Sequence, residues 1–410
     1  MTLPPLLCES ATITPLHRRI LLLSFLGWMF DFYNLILYTF LTRPISAELG
    51  LTRLDHGWAI GLTFAATALG GVASGYLADR FGRRPLIVWT ILLYSLGCLL
   101  SGLAGSKALL FVARAITGLG VGGEWAAGHA LVAETFPPDR RGRAGALLQT
   151  GAPVGVGLAT LVGTLVAPAV GWRACLIGSS LTAALVFVAR RSLPESDLWQ
   201  RGRSAEFGRG VGALLAGALA PAFYAGLVLT VLNGASYWLT YSWLPEYLRT
   251  RGLTVAASGL YLGVMVVGEL IGYSSFGWFS DRLGRRPAFT LFSVVMAAGL
   301  VPLAACWPEL AGTPGLYLAV VFVGLGTGTW SNFGPMLAEL FPTPLRNTAM
   351  GSILNLARGV QFAGPPLIAA LEPRYGLAAG LGLAAGFALA AAGWVWILPE
   401  TRGRPLGSAL

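Results

Sequence analysis

Five ionisable side chains stand inside long apolar runs of this 410-residue chain: Asp31, Arg114, Glu124, Glu269 and Arg358. A charge at the centre of a bilayer costs roughly 2.5–3.5 kcal/mol on insertion scales, so each invites a functional reading. Asp31 shares a helical face with Asn34 and Tyr38, at i+3 and i+7. A desolvated carboxyl group in that setting suits loading and releasing a proton, and a polar contact between helices is the plainer alternative. Arg358 is flanked by Asn355 at i−3 and Gln361 at i+3, a polar stripe on an otherwise apolar helix. A permanently charged guanidinium fork grips a carboxylate in bidentate fashion, which points to an anionic substrate. The alternative is a salt bridge from Arg358 to Glu269 or Asp31. Both hold if substrate displaces the acid, an exchange that would itself couple binding to protonation.

Arg114 precedes Glu124 by ten residues, about 15 Å along a helix and on a different face, so the two are not expected to pair. Gly118, Gly120, Gly122 and Gly123 make the surface between them thin enough for close helix approach. Glu124 reads as a second proton carrier or as a buried partner for an arginine. Glu269 reads as a substrate contact or as one end of an inter-helix hydrogen bond. Asn233, Tyr237 and Tyr241 recur at i, i+4 and i+8, with Trp238 and Trp243 beside them. Such rings could stack on a flat or apolar substrate, or form an interfacial aromatic belt. Asn332, Trp330 and Gln149 are lesser candidates of the same kind, and His129 reads as a packing residue.

The elements that must position these groups are membrane helices. The chain is 55% hydrophobic and only 11% charged, against roughly 25% charged for soluble domains. Apolar stretches of bilayer length recur near 20–42, 57–78, 86–105, 108–132, 144–166, 172–190, 214–244, 255–278, 288–307, 314–338, 348–370 and 376–397. Twelve spanning helices are expected, the first retained rather than cleaved as a signal. Assigning loops alternately puts 19 basic residues on one side and 7 on the other. The richer side, with both termini, is therefore expected to be cytoplasmic and the site of residence a cell inner membrane. The net charge of +10 thus reports topology rather than nucleic-acid binding. Cys8, Cys98, Cys175 and Cys306 are too scattered for a disulfide framework or metal site. No nucleophile–base constellation appears, so neither enzyme chemistry nor a cofactor is expected.

The chain also repeats itself. Gly75-Tyr-Leu-Ala-Asp79-Arg80-Phe-Gly82-Arg83-Arg84-Pro85 recurs as Gly277-Trp-Phe-Ser-Asp281-Arg282-Leu-Gly284-Arg285-Arg286-Pro287, 202 residues on. Ala133-Glu134-Thr-Phe136-Pro137, with Arg141, recurs as Ala338-Glu339-Leu-Phe341-Pro342, with Arg346, at an offset of 205. Leu193-Pro-Glu-Ser196 recurs as Leu398-Pro-Glu-Thr401 at the same offset. The expected organisation is an all-α membrane protein with two pseudo-symmetric six-helix bundles, 1–190 and 214–410, joined by a cytoplasmic linker, 191–213. Symmetric halves around a central site suit alternating access by rocking.

The doubled Gly-to-Arg element and Arg114-x-x-x-Gly118-x-Gly120-x-Gly122 resemble the signatures of the major facilitator superfamily. Within it, Trp28-Met-Phe-Asp31-Phe-Tyr-Asn34 and Gly122-Gly123-Glu124-Trp125 resemble the metabolite and organic-acid:proton symporters, including aromatic-acid and sialate-type carriers. The resemblance implies proton-coupled symport of a small organic anion by a monomer embedded in lipid. It assigns Asp31, Glu124 and Arg114 to proton coupling, and makes Asp79, Arg83, Arg84, Asp281, Arg285 and Arg286 a conformational latch. The family often has a second acid three residues after the first; Asn34 stands there instead. A proton-driven sugar carrier is the first rival, because Leu398-Pro-Glu-Thr-Arg-Gly-Arg-Pro405 resembles sugar-porter signatures. A drug:proton antiporter is the second, from Gly151-Ala-Pro153-Val-Gly155.

Overall fold

A computed structural model describes residues 12–190, 195–202, 212, 214–253, 255–361, 364–404 and 406. Most of the 191–213 linker lies outside them. Among the described residues the chain is helical, with no strand. The long helices are α1 Pro15–Leu49, α2 Arg53–Phe81, α3 Arg83–Gly102, α4 Lys107–Thr135, α5 Arg141–Val170, α6 Trp172–Arg190, α7 Ala220–Thr250, α8 Val255–Leu283, α9 Arg285–Ala305, α10 Pro314–Leu340, α11 Arg346–Gln361 and α12 Gly364–Trp394. Nine of the described helices are long and apolar enough to cross a bilayer. α4, α6 and α11 are not among the nine. α4 carries Arg114, Glu124 and Glu134, and α11 is only 16 residues long. Within α12 the backbone breaks at Gly376, where φ is +69°.

The turns between α2 and α3, and between α8 and α9, are single glycines. Gly82 and Gly284 have φ of +108° and +110°, a region that costs glycine nothing and other residues a clash. A side chain at Gly284 would also stand 2.8 Å from a carboxylate oxygen of Glu400. These two positions fix how tightly the repeated arginine elements fold back.

α2 and α3 both pack on α4, α1 on α5, and α3 on α6. Later in the chain α8 and α9 pack on α10, α7 on α12, and α9 on α12. These sets meet along two seams, α2 against α11 and α8 against the start of α5, which the sequence repeat relates to one another. Glycines make the seams close. A Cβ at Gly75 would lie 2.5 Å from the Asn347 carbonyl oxygen, and one at Gly277 would lie 2.6 Å from the Arg143 Cα.

The buried apolar residues show where closure stops. One core contains residues of both repeats, from Ile20, Tyr94 and Trp125 to Phe289, Phe333 and Met350. Two others are separate: Tyr33 to Ile45 with Trp172 and Leu176, and Leu239 to Leu248 with Leu300, Val320 and Leu381. The shared core occupies the end of the molecule rich in arginine, and the separate cores occupy the opposite end. The two repeats therefore share a core at the arginine-rich end and keep separate cores at the other.

Candidate substrate and proton site

Asp31 and Arg358 meet where the shared core gives way to the separate ones. Asp31 is fully buried on α1, one turn after Trp28. The Arg358 guanidinium, on α11, lies 5.7 Å from the centroid of the Trp28 ring, and the charge of Asp31 acts on it. Arg358 itself is only partly buried, so a charged head is presented beside an aromatic face and an acid. The indole N–H of Trp28 and both amide atoms of Asn34 find no hydrogen-bond partner among the described residues. Burying such groups unsatisfied costs about 1–3 kcal/mol each, a cost that a functional site explains and a packing role does not. The side chain of Gln361 lies outside the described residues. Asn355 does not face this space: it donates to the Gly351 carbonyl at 2.8 Å and fits against Gly71 in the seam.

Trp125 donates from Nε1 to Gln149 at 3.1 Å, and its ring lies 4.6 Å from that of His129. His129 Nδ1 is 3.1 Å from the Trp125 carbonyl oxygen, which can only accept, so that nitrogen carries the proton. The imidazole wedges against Gly334 of α10, a packing position.

Glu269 of α8 sits in a cage of phenols. Tyr241 donates to its Oε2 at 2.5 Å, and Tyr237 and Tyr273 hydrogen-bond to it as well. The Tyr237 and Tyr241 rings stack at 4.2 Å, and Trp330 meets Tyr237 edge-on at 5.8 Å. Tyr237 and Tyr241 stay partly exposed, while Asn233 is buried with its Nδ2 unbonded among the described residues. Asn332 turns along its own helix and donates to the Met336 sulfur at 3.2 Å. Tyr273 escapes a search for clustered aromatics, yet it stands four residues after Glu269, which is the signal that finds it.

Arg114 donates from Nε to Thr63 Oγ1 at 3.2 Å, and its Cζ lies 4.4 Å from the centroid of the Tyr38 ring. Its electrostatic neighbours are Cys98 and Tyr38. Among the described residues no carboxylate forms an ion pair with it, so the structure supplies Arg114 with an aromatic face rather than an acid. Tyr38, although on the Asp31 stripe, is fully buried, and its hydroxyl hydrogen-bonds to His56 Nδ1 at 2.9 Å. Glu124 faces α3, where Thr90 Oγ1 is 3.4 Å away.

The arginine-rich end holds a second constellation. Asp79 accepts from the backbone N–H groups of Thr348 at 2.7 Å and Asn347 at 3.2 Å, and from the Thr348 hydroxyl at 2.8 Å. Asp281 accepts from the N–H groups of Gly142 at 2.9 Å and Arg143 at 3.0 Å. Each carboxylate thus meets the first turn of a helix from the other repeat, where unpaired N–H groups and the helix dipole favour negative charge. Arg83 and Arg285 hold these acids at 3.2 and 2.9 Å. Glu134 bridges Arg83 at 2.9 Å and Arg346 at 2.5 Å; Glu339 bridges Arg285 at 2.8 Å and Arg141 at 3.1 Å. The backbone contacts of Asp79 and Asp281 and the ion pairs of Glu134 and Glu339 have counterparts about 202–205 residues away.

Arg84 and Arg286 contribute differently, through backbone N–H groups given to Glu195 and Glu400, each at 3.1 Å. Burial pushes the Glu195 carboxyl above its usual range, against three backbone N–H groups. Glu400 is also partly buried, but four backbone N–H groups outweigh that and hold it below its usual range. Neither glutamate, nor Glu134, Glu339, Arg141 or Arg346, was marked by spacing alone as part of the latch, although all six lie in the repeated segments.

A doubled acidic cap, crossing between repeats at one end of a helical membrane protein, is compared most directly with known proteins. The chain matches the Major Facilitator Superfamily over residues 20–304 and 226–409. It belongs to that superfamily. A probable 4-methylmuconolactone transporter of Cupriavidus pinatubonensis is 30% identical over 95% of this chain and 92% of that protein. The sialic acid transporter NanX of Escherichia coli is 30% identical over 90% and 91%. In fold, the proton:xylose symporter XylE bound to 6-bromo-6-deoxy-D-glucose superposes with a TM-score of 0.81 at 19% identity, covering 95% of this chain and 97% of that one. This superfamily member is accordingly a multi-pass membrane transporter and not an enzyme.

Proposed function

We propose that the chain is a secondary transporter that moves a small organic anion together with protons by alternating access. It comprises twelve spanning helices in two six-helix bundles, 1–190 and 214–410, with the arginine-rich end and both termini cytoplasmic, in a cell inner membrane. The protein works as a monomer. The observation that carries the reading is Arg358, held over Trp28 and within the field of Asp31 at the depth where the two bundles part. A guanidinium so placed takes a substrate carboxylate in its fork, and an aromatic face beside it favours a flat or apolar body. Carboxylate binding relieves Asp31 of its cationic neighbour, so substrate and proton load in one step. Relatives named for 4-methylmuconolactone and sialic acid transport support this substrate class.

In this conformation Asp79 and Asp281 cap helices of the opposite bundle, which keeps the cytoplasmic end shut while the site loads from outside. Tyr237, Tyr241, Asn233 and Glu269 form the opposite wall. Proteoliposomes with an imposed pH gradient, offered benzoate, nicotinate, cis,cis-muconate, N-acetylneuraminate and xylose, test the reading. Gradient-driven accumulation of one or more of the carboxylates is expected; accumulation of xylose alone would remove the anion reading and the role of Arg358 together.

A further inference from the structure

Glu269 is a buried acid without a cation. It is 4% exposed, and among the described residues no basic side chain pairs with it, whereas Asp31 shares its field with Arg358. Tyr241 donates to Glu269 Oε2 at 2.5 Å, and Tyr237 and Tyr273 hydrogen-bond to the same carboxyl group. An ionised carboxylate buried in this way is costly, and a protein neutralises such a group with a proton. The enclosure leaves little room for anything larger. Beside the phenols, α10 packs so closely on α8 that a Cβ at Gly324 would stand 2.9 Å from the Glu269 backbone nitrogen.

Among the described residues, the titratable groups facing Glu269 are phenols. Tyr237 and Tyr241 come from α7, and Tyr273 from α8 itself, where it also hydrogen-bonds to Thr327 of α10. α9 meets this region through Met296, against Gly326 and Ser236, and through Phe292, against Phe276. α5 meets α8 at Gly277. The charges of that seam, Arg143 and Arg285, gather at Asp281, twelve residues or about 18 Å along α8 from Glu269. Tyr273 is buried, but Tyr237 and Tyr241 remain partly exposed, so the cage is reached from their side. Tyr237 packs on the shared core and Tyr241 on the second repeat's own core. The cage thus lies at the junction in the second repeat that Asp31, between Trp28 and Tyr33, occupies in the first.

Each phenol has one hydrogen to give, and an ionised carboxylate can accept from all three. A protonated carboxyl group has a hydrogen of its own, so one phenol oxygen must accept it and turn its own O–H elsewhere. Tyr241, at 2.5 Å and partly exposed, is placed to do so. We infer that Glu269 is a second proton-binding site besides Asp31, and that its protonation turns the Tyr241 hydroxyl out of the cage toward the substrate. One O–H bond forms, on Glu269; Tyr241 keeps its hydrogen and changes only the group to which it donates. Proton loading thereby adds a hydrogen-bond donor to the wall of the site, so proton and substrate favour each other's binding. The inference rests on the proton-coupled reading proposed above and adds a second proton to it.

Infrared difference spectra of the purified protein, titrated from acid to alkaline pH, report protonated carboxyl groups through their C=O stretch. A band should titrate in the wild type and in Asp31→Asn, be missing from Glu269→Gln, and return in Glu269→Asp. Proteoliposomes with the membrane potential clamped to zero give the second readout, the steady-state accumulation ratio of whichever compound offered above the wild type takes up. Each coupled proton multiplies that ratio about tenfold per unit of pH gradient. Glu269→Gln should therefore lose about tenfold across a gradient of about one unit, and Glu269→Asp should recover it. Tyr241→Phe should keep the band and lose roughly three- to tenfold in apparent affinity, on the acid side alone. A band that persists in Glu269→Gln, or an unchanged accumulation ratio, overturns the inference and leaves the coupled reading standing. An affinity loss in Tyr241→Phe that is equal at every pH overturns the turning of its hydroxyl. A wild type whose uptake ignores the gradient overturns the coupled reading instead, and the second proton with it.

Discussion

In the proposed transport cycle Arg358 and Asp31 are the least replaceable residues, because one supplies a fixed planar charge and the other a removable one. Arg358→Lys keeps the charge and loses the fork. Charged hydrogen bonds contribute about 1.5–3 kcal/mol, so carboxylate uptake should fall roughly ten- to a hundredfold, chiefly through apparent affinity. Asp31→Asn should behave otherwise, abolishing gradient-driven uptake while counterflow exchange persists. Wild-type pH dependence in Asp31→Asn would take that residue off the proton path. Both residues are legible in sequence, since an ionisable residue in an apolar run announces itself. Tyr38 and Asn355 show the limit of that reasoning. Helical spacing placed both beside the central charges, but spacing gives a face and not what packs on it: Tyr38 turns to His56 and Asn355 fills the seam at Gly71.

At the scale of elements, the two repeated arginine-rich turns look interchangeable in sequence and differ in electrostatics. Glu195 and Glu400 cap the same turns of the two repeats, yet one carboxyl is raised above the ordinary 4.5 and the other lowered below it. For Glu400 the depressed value means stability present above the unfolded value and lost as pH falls through the folded one. For Glu195 the sign is reversed: its contribution is full below the unfolded value and is lost as pH rises through the folded one. Glu400→Gln should therefore lower thermal stability at neutral pH, with a difference from wild type that shrinks below about pH 4.5. Glu195→Gln should lower it less, or raise it. Melting curves of the purified protein between pH 4 and 8 compare the two. The repeat made the caps locatable; the number of N–H groups each receives is a matter of how the chain beyond Ser196 and Thr401 folds back, which no spacing encodes.

The glycine seams make a second prediction at this scale. Alanine at Gly75 or Gly277 would place a methyl against backbone of the opposite repeat, 2.5–2.6 Å away. Alanine at Gly57 or Gly157 meets nothing within 4 Å. The first pair should hold the cytoplasmic end ajar, seen as faster labelling of a cysteine introduced there, and slow net uptake; the second pair should leave both unchanged. Glycine content suggested close helices in general, but which glycines face the other bundle follows only from the packing.

Over the whole molecule, the repeats share one core at the arginine-rich end and keep separate cores at the other, and buried charges join them at the shared end. Four carboxylates, Asp79, Asp281, Glu134 and Glu339, each contact both repeats, and all are almost fully buried in this state. In the proposed cycle, opening the arginine-rich end would separate each from its partner across the seam and admit water to both sides. On the proposed alternating-access reading these contacts stabilise the closed state and break when it opens, as a reversible lock requires. Removing one member of a buried pair leaves its partner uncompensated, at a cost of roughly 3–5 kcal/mol when both stay buried. Here water can reach the broken pair once the seam opens, so the penalty falls on the closed state. Glu339→Gln leaves Arg285 and Arg141 facing each other and should shift the equilibrium toward the cytoplasm-open state by a factor on the order of 10². Asp281→Asn, which keeps a hydrogen-bond acceptor for the N–H groups of Gly142 and Arg143, should shift it less, by about tenfold. Distances between spin labels on the cytoplasmic ends of α2 and α11, and of α5 and α8, report the populations directly. Because the two seams are related by the repeat, Glu134→Gln should reproduce the Glu339→Gln shift; a change confined to one seam would mean that the bundles do not move as rigid bodies about the central site.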